Sequence, residues 1–473
     1  MSKKEKIVVL GAGMGGLSAG YFLARTGKYE VTVIEKAPVV GGLSGSFKHN
    51  GFVLDYGAHK IYSVIPNIMD EIADLMGERL LKVTKKNRIF LKGNLLDYPL
   101  QIGNLSKALG FQTFLKLGFG YALTFMQGLF DRSPASSYEE YVVKKFGRTT
   151  YELVFEPLAD KVWGEPSTLH PDMASTRIPA SSGLDVILRL LGIKKESAET
   201  SAKFFYYPRK GFQDFSDILK EKIQEMGGKV IVNVNPESVQ KTDGRINAVN
   251  VTVNKESLHF PCDYLISSVP LSDLGQLIFA GQDEEFSKAV KSLQFRHLIL
   301  VYIFVKKPLV LDDQWIFFPE REFIFSRIFE QKQMNPESGP PDKTAICCDF
   351  TCREDSWQWN SKDKVLIDKC MEGLVKGGFI LSEDVIDHLV VRFLNFYPRY
   401  DLNYKEKIEG VTRKLQQFNN LLLTGRIGMY NYNNVDHCFD MGKFIAENLE
   451  KGKMPNEVWR ELDHRISNYK IVD

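Results

Sequence analysis

The run from Lys6 to Glu35 constrains this chain more than any other. Ile7-Val8-Val9-Leu10 is a short apolar stretch rich in β-branched residues, the pattern of a strand buried on both faces in a parallel sheet. Gly11-Ala12-Gly13-Met14-Gly15-Gly16 follows, and a helical pattern runs through Leu17, Tyr21, Phe22 and Leu23 to a stop near Gly27. Val31-Thr32-Val33-Ile34 supplies a second strand with Glu35 at its end and Lys36 beside it. Gly11 and Gly13 let the backbone approach a phosphate, and Gly16 lets the helix pack closely on its strand. The helix N-terminus, with Met14 and Gly15 in its first turn, presents unpaired N–H groups to a pyrophosphate. An acid at the end of the second strand accepts hydrogen bonds from an adenosine ribose. A lone GxGxxG is weak evidence. Strand, glycines, helix, strand and acid in this order predict a dinucleotide site.

The 473 residues suffice for two or more domains. A net charge of +2 gives no electrostatic footprint for nucleic acid, and Lys3, Lys4 and Lys6 form only a small basic tip. The six cysteines, at 262, 347, 348, 352, 370 and 438, have no zinc spacing, and no other metal motif appears. Such sparse usage suits free thiols in a reducing compartment. The first apolar run passes straight into the glycine turn instead of forming a signal peptide. The expectation is a cytoplasmic protein, soluble or peripherally attached to a membrane.

Further glycine pairs follow. Val40-Gly41-Gly42-Leu43-Ser44-Gly45 places Gly42 and Leu43 just beyond the ribose acid, where a cofactor longer than a nicotinamide dinucleotide would need a second close approach. Asp55-Tyr56-Gly57-Ala58-His59-Lys60-Ile61-Tyr62 reads as a strand end, a glycine turn and a second strand. His59 is either a histidine satisfied within that turn or a functional group. Near the other end, Leu421-Leu422-Leu423-Thr424-Gly425-Arg426-Ile427-Gly428 leads into a helix from about Asp436 to Leu449, repeating the logic of the first stretch.

These motifs together resemble the FAD-dependent superfamily of flavin amine oxidases, protoporphyrinogen oxidases, phytoene desaturases and UDP-galactopyranose mutases. The DYGAH form and the GR-x-G…Y…N-x-DH run are most similar to eukaryotic-type mutases and their oxidoreductase-like relatives. The resemblance implies FAD as cofactor, with Ala58 and His59 facing the flavin and Gly425, Arg426, Asn434 and Asp436 near it. It also implies Tyr397 and Tyr432 beside the substrate. Tyr98-Pro99-Leu100-Gln101 is similar to a mutase segment whose glutamine belongs to the substrate pocket, which makes Gln101 a candidate. The Lys161-Val162-Trp163…Arg177 pattern and the strand containing Arg327 place Arg177 and Arg327 where mutase arginines reach a diphosphate. The ordinary alternatives are an ion pair for Arg177 and a carboxylate across the sheet for Arg327. Where those mutases carry a Tyr-Asn pair that helps to hold uridine, this chain has Leu158-Ala159. A pocket without such polar groups discriminates poorly for uracil.

The expected architecture is α/β. A discontinuous Rossmann-like FAD-binding domain (1–80, 205–270 and 390–450) is interleaved with a mixed α+β substrate domain (81–204 and 271–389), and 451–473 is a C-terminal tail. Phe111 to Phe130 is the most apolar stretch, marginal for a membrane span. It reads as a buried helix or as a peripheral membrane patch or mouth for a greasy substrate. The expected activity is that of an oxidoreductase passing hydride from a small organic substrate to flavin N5. The alternative is a non-redox, flavin-dependent mutase of a nucleotide sugar. His59, Arg177, Arg327, Tyr397 and Tyr432 are the expected catalytic and substrate-facing groups.

Overall fold

The computed structural model describes residues 3–97, 112, 116, 118–120, 124, 126, 133–177, 202–253 and 256–471. Gln101 and most of Phe111 to Phe130 lie outside them.

A five-stranded parallel sheet is drawn from distant parts of the chain, in the order Leu421–Leu423, Tyr264–Ser267, Glu5–Leu10, Tyr29–Ile34, Lys229–Ile231. Its central strand pairs on both sides, Ile7 lying opposite Tyr264 and Val31. Ile7, Val9 and Leu10 are fully buried, as a strand covered on both faces requires. The helix Met14–Arg25 packs against the helix Val435–Glu450. Contact is closest at Gly442, where a Cβ would come within 2.5 Å of the Ala19 backbone nitrogen. The helix Pro455–Ile466 packs in turn on Val435–Glu450.

A seven-stranded mixed sheet forms the second layer system, in the order Val385–Arg399, Gln294–Val305, Thr344–Cys352, Arg327–Glu330, Trp315–Phe317, Asn87–Leu91, Asn94–Asp97. The helix Asp363–Lys376 buries Leu366, Ile367, Cys370 and Leu374 in the core on one side of it. The α/β class expected from the sequence, with a Rossmann-like parallel sheet beside a mixed one, is the observed class.

A further sheet stands apart from the parallel one, and one local expectation changes. The strand Arg245–Val253 lies in the middle of a three-stranded antiparallel sheet with Asn235–Thr242 and Glu256–Pro261. Asp243 and Gly244 both have positive φ, the geometry of a tight hairpin turn, so the strand pairs with its sequence neighbour. The second strand expected after Gly57 is reduced to a single bridge between Ile61 and Tyr206, because the chain bends through Tyr56–Ala58.

Candidate functional site: a glycine cradle and an arginine–tyrosine chamber

The first glycine turn is built as its spacing predicts. Gly11 has φ +88°, and a Cβ there would lie 2.6 Å from Ser268 Oγ. A Cβ on Gly16 would come within 1.9 Å of the Gly11 carbonyl oxygen, so only glycine lets the helix start so close to its strand. Gly15 meets the distant glycine turn directly: its Cβ would lie 2.6 Å from Gly425 Cα. Gly13 differs from all of these. It caps the helix with φ −72° and no side-chain hydrogen bond, and nothing lies within 4 Å of where its Cβ would be. Open space in front of helical N–H groups is the form of an anion cradle. Met14 is buried behind it.

Glu35 stands at the rim. Its carboxylate accepts from the Ala12 N–H at 2.6 Å and the Ala37 N–H at 2.8 Å. A carboxylate has about four acceptor positions, so two remain for a ribose. The Gly41–Gly42 turn folds over this edge. Gly41 bridges to Gly13, and the Gly41 N–H donates to the Ala12 carbonyl at 2.8 Å. Gly42 has φ +54°, and half-buried Leu43 follows it in a short 3-10 turn. Lys36 points outward and pairs with Asp273 at 3.1 Å.

Beyond the cradle, distant residues converge on one chamber. Tyr397 and Tyr432 stack, ring centroids 4.9 Å apart and 5° from parallel. Arg426 lies over both, 5.2 Å from the Tyr397 centroid and 5.7 Å from that of Tyr432, and donates to the Asn433 carbonyl. Arg177 lies 4.1 Å from the Tyr432 centroid and 4.7 Å from that of Trp163. Its Nη1 donates to the Met173 carbonyl at 3.3 Å, and it forms no ion pair among the described residues.

Arg327 takes the arrangement that its apolar strand demanded. It faces Asp349 across the antiparallel pair and donates from Nε at 2.7 Å and from Nη2 to the same carboxylate. A buried cation is tolerable on such terms. Beside the pair, the charge of Arg327 disfavours the His59 imidazolium and opposes the effect of burial on the Tyr397 phenol.

Half-buried Ala58 precedes His59, whose ring lies tilted against Phe212, centroids 4.7 Å apart. Its Nδ1 is buried and has no hydrogen-bond partner among the described residues. Burial first, and then the charges of Arg426 and Arg327, push the imidazole down to about 3. His59 is therefore neutral at physiological pH. Burial also holds the Tyr397 phenol well above its ordinary range, so it stays protonated. Asn434 caps the helix Val435–Glu450, and Asp436 is buried in its first turn.

Three contributors escaped the sequence-based site list. Trp163 is 9% exposed, packs under Arg177, and keeps Nε1 buried and unpartnered. The Lys-Val-Trp pattern was its signal. Asp349 could have been found as the one carboxylate within the apolar strand Thr344–Cys352. Asp55 ends the strand before the His59 turn and is fully buried. It accepts from Ser46 Oγ at 2.6 Å, Tyr207 Oη at 2.6 Å and the Phe212 N–H at 3.1 Å, and so fixes that turn.

A parallel sheet, a glycine turn opening its first helix and an acid ending its second strand define a Rossmann-type fold unit. A family model described as "NAD(P)-binding Rossmann-like domain" matches residues 9–76. The whole fold is that of the reduced UDP-galactopyranose mutase structure, with TM-score 0.83, 20% identity, and coverage of 99% of this chain and 100% of that one. A redesigned putrescine oxidase shares it at TM-score 0.64 and 13% identity, over 95% of this chain and 99% of that one. Phytoene desaturase from Fusarium fujikuroi is 23% identical over 295 residues, 57% of this chain and 50% of that protein. The chain thus spans about half the length of the curated relatives it matches. The fold expected from the superfamily resemblance is the one observed.

Proposed function

We propose that this chain is an FAD-dependent oxidoreductase that removes a hydride from a small organic substrate carrying an anionic group. The supporting observation is the chamber itself. Arg177, Arg327 and Arg426 are gathered around two stacked tyrosines and a neutral histidine whose Nδ1 has no partner among the described residues. The residues fit the cofactor: Gly13 leaves open space for a pyrophosphate, and Glu35 keeps acceptor positions for a ribose. When bound, FAD supplies a two-electron acceptor at N5.

The chain's own groups have separate tasks. Arg177, free of any carboxylate among the described residues, offers its guanidinium to a substrate anion while Trp163 and Tyr432 pack against it. Arg426 and Arg327 raise the local positive potential. The neutral imidazole of His59 offers a hydrogen-bond contact to the substrate's O–H or N–H; with its pKa lowered to about 3 it is a weak base, and the proton lost alongside the hydride passes to solvent. Tyr397, protonated, remains a donor.

A second reading is a non-redox mutase acting on a nucleotide sugar, and the same three arginines favour it. Leu158-Ala159 on the helix Glu156–Trp163 counts against uridine. One experiment separates the two. Anaerobic addition of amines, porphyrinogens and alcohols with acidic groups to the oxidised protein should bleach the flavin bands with at least one of them. UDP-galactose added to the reduced protein should yield no isomer. Isomerisation without net redox change would overturn the oxidoreductase.

We also propose peripheral contact with a lipid surface through Phe111 to Phe130, where Phe119 is 69% and Met126 58% exposed. No helix among the described residues is long and apolar enough to cross a membrane. Six buried, unbridged cysteines support a reducing compartment.

A further inference from the structure

The last residues of the chain return to the site. After the helix Pro455–Ile466 the backbone turns, and Tyr469 comes to lie on His437 with ring centroids 4.4 Å apart and 6° from parallel. Tyr469 Oη donates to Asp440 at 2.6 Å, and Arg465 holds the same carboxylate from Nε at 2.6 Å and Nη2 at 2.7 Å. Tyr469 is 8% exposed, Ile471 6% and His437 1%, so this is an interior junction. Two residues beyond Tyr469, the Ile471 N–H donates to the Thr176 carbonyl at 2.9 Å.

Thr176 immediately precedes Arg177. It ends the four-residue helix Asp172–Ser175, too short to hold its last carbonyls by itself. From Arg177 the contacts close into a ring. Its guanidinium rests on Tyr432, in the loop that ends at Asn434. The Asn434 N–H donates to His437 Nδ1 at 3.1 Å, and His437 carries Tyr469. The tail is the segment that completes the circuit from the Val435–Glu450 helix back to the Arg177 backbone.

We propose that residues 469–471 form a strap that positions Arg177 over Tyr432, with Tyr469 and the Ile471 N–H as its positioning elements. The Thr176–Arg177 step follows only a single helical turn, in which the Arg177 N–H donates to the Ala174 carbonyl at 3.0 Å and its Nη1 to the Met173 carbonyl at 3.3 Å. All of those bonds lie within the turn; the strap adds an anchor from outside it, at the Thr176 carbonyl, and fastens the turn to the Val435–Glu450 helix, which packs on the helix Met14–Arg25. The functional importance of Arg177 rests on the reading of the chamber given above; the strap itself does not.

The test compares two variants at one position in the full-length, flavin-loaded protein. Ile471→Pro deletes the donor to Thr176, whereas Ile471→Ala keeps it. In hydrogen exchange without ligand, amides of 171–177 should exchange about five- to tenfold faster in Ile471→Pro than in Ile471→Ala. Flavin content and thermal midpoint should match between them. Tyr469→Leu, remote in sequence, should accelerate the same amides. Inorganic pyrophosphate, followed by tryptophan fluorescence, should bind about tenfold more weakly to Ile471→Pro than to Ile471→Ala. Unchanged exchange of 171–177 in either Ile471→Pro or Tyr469→Leu would overturn the strap. A wild-type protein that ignores pyrophosphate would instead count against the anionic-substrate reading, and the ligand-free exchange would still decide the strap.

Discussion

Replacing Gly13 with alanine separates the fold of the cradle from its use. Gly13 has φ −72° and ψ 176°, ordinary for any residue, and its missing Cβ faces open space. The apoprotein should therefore tolerate alanine, even gaining up to about 0.4–1 kcal/mol from a stiffer unfolded chain. The neighbouring glycines behave otherwise. A methyl on Gly16 would sit 1.9 Å from a carbonyl oxygen, and one on Gly15 2.6 Å from Gly425 Cα, against the ~3.5–4.0 Å of an ordinary carbon contact. Overpacking of that kind costs about 1–3 kcal/mol. If the space before Gly13 receives the pyrophosphate, the Gly13→Ala methyl displaces it from the helical N–H groups. Losing one such charge-assisted hydrogen bond costs about 1.5–3 kcal/mol, roughly a 12- to 150-fold loss of affinity. The assay pairs FAD titration of the stripped protein with its thermal midpoint. Gly13→Ala should keep the midpoint and lose the flavin, and Gly16→Ala should lower both. Wild-type FAD affinity in Gly13→Ala would refute the placement of the pyrophosphate.

Other substitutions probe the remaining parts. Glu35→Ala should purify largely colourless, because it removes the ribose acceptor and the two N–H bonds that shape the rim; full flavin absorbance would contradict that role. Arg327→Met should destabilise the chain by about 3–5 kcal/mol in chemical denaturation, because Asp349 is left buried without its counter-charge. Much of that loss should return in Arg327→Met/Asp349→Asn, and equal stability of the two would dismiss the pair as a structural element. His59 has a depressed folded pKa, about 3 against 6.5. Between those values the unfolded chain binds more protons, so this group makes stability fall as pH falls through 6.5 toward 3. His59→Gln should remove that component, on the order of a few kcal/mol, and flatten the stability profile between pH 6.5 and 4.5; parallel profiles would show that His59 titrates normally.

Much of the cradle could be read from residue order, because a glycine turn is a local demand. Gly11 needs its positive φ and Gly16 its close packing whatever surrounds them. The helix Tyr138–Phe146 begins where Ser137 caps it, accepting from the Glu140 N–H. The chamber was legible only through family resemblance. Tyr397 and Tyr432 are 35 positions apart, and nothing in their spacing says that their rings stack. The sequence left Arg327 with two readings, a partner across the sheet or a place in the pocket. The structure gives it the partner across the sheet, Asp349, a pairing that only the register of the two strands could reveal.

By itself, then, the order of residues determined a parallel strand–glycine–helix unit with an acid at its edge, because φ preference, side-chain size and apolar periodicity act within a few residues. Only the tertiary structure decided that Gly15 would meet Gly425, that Arg177 would lie on Tyr432, and that the tail would return to Thr176. Those contacts join segments up to hundreds of residues apart. They exist because two sheets assembled from scattered strands bring the segments together, which no local preference encodes.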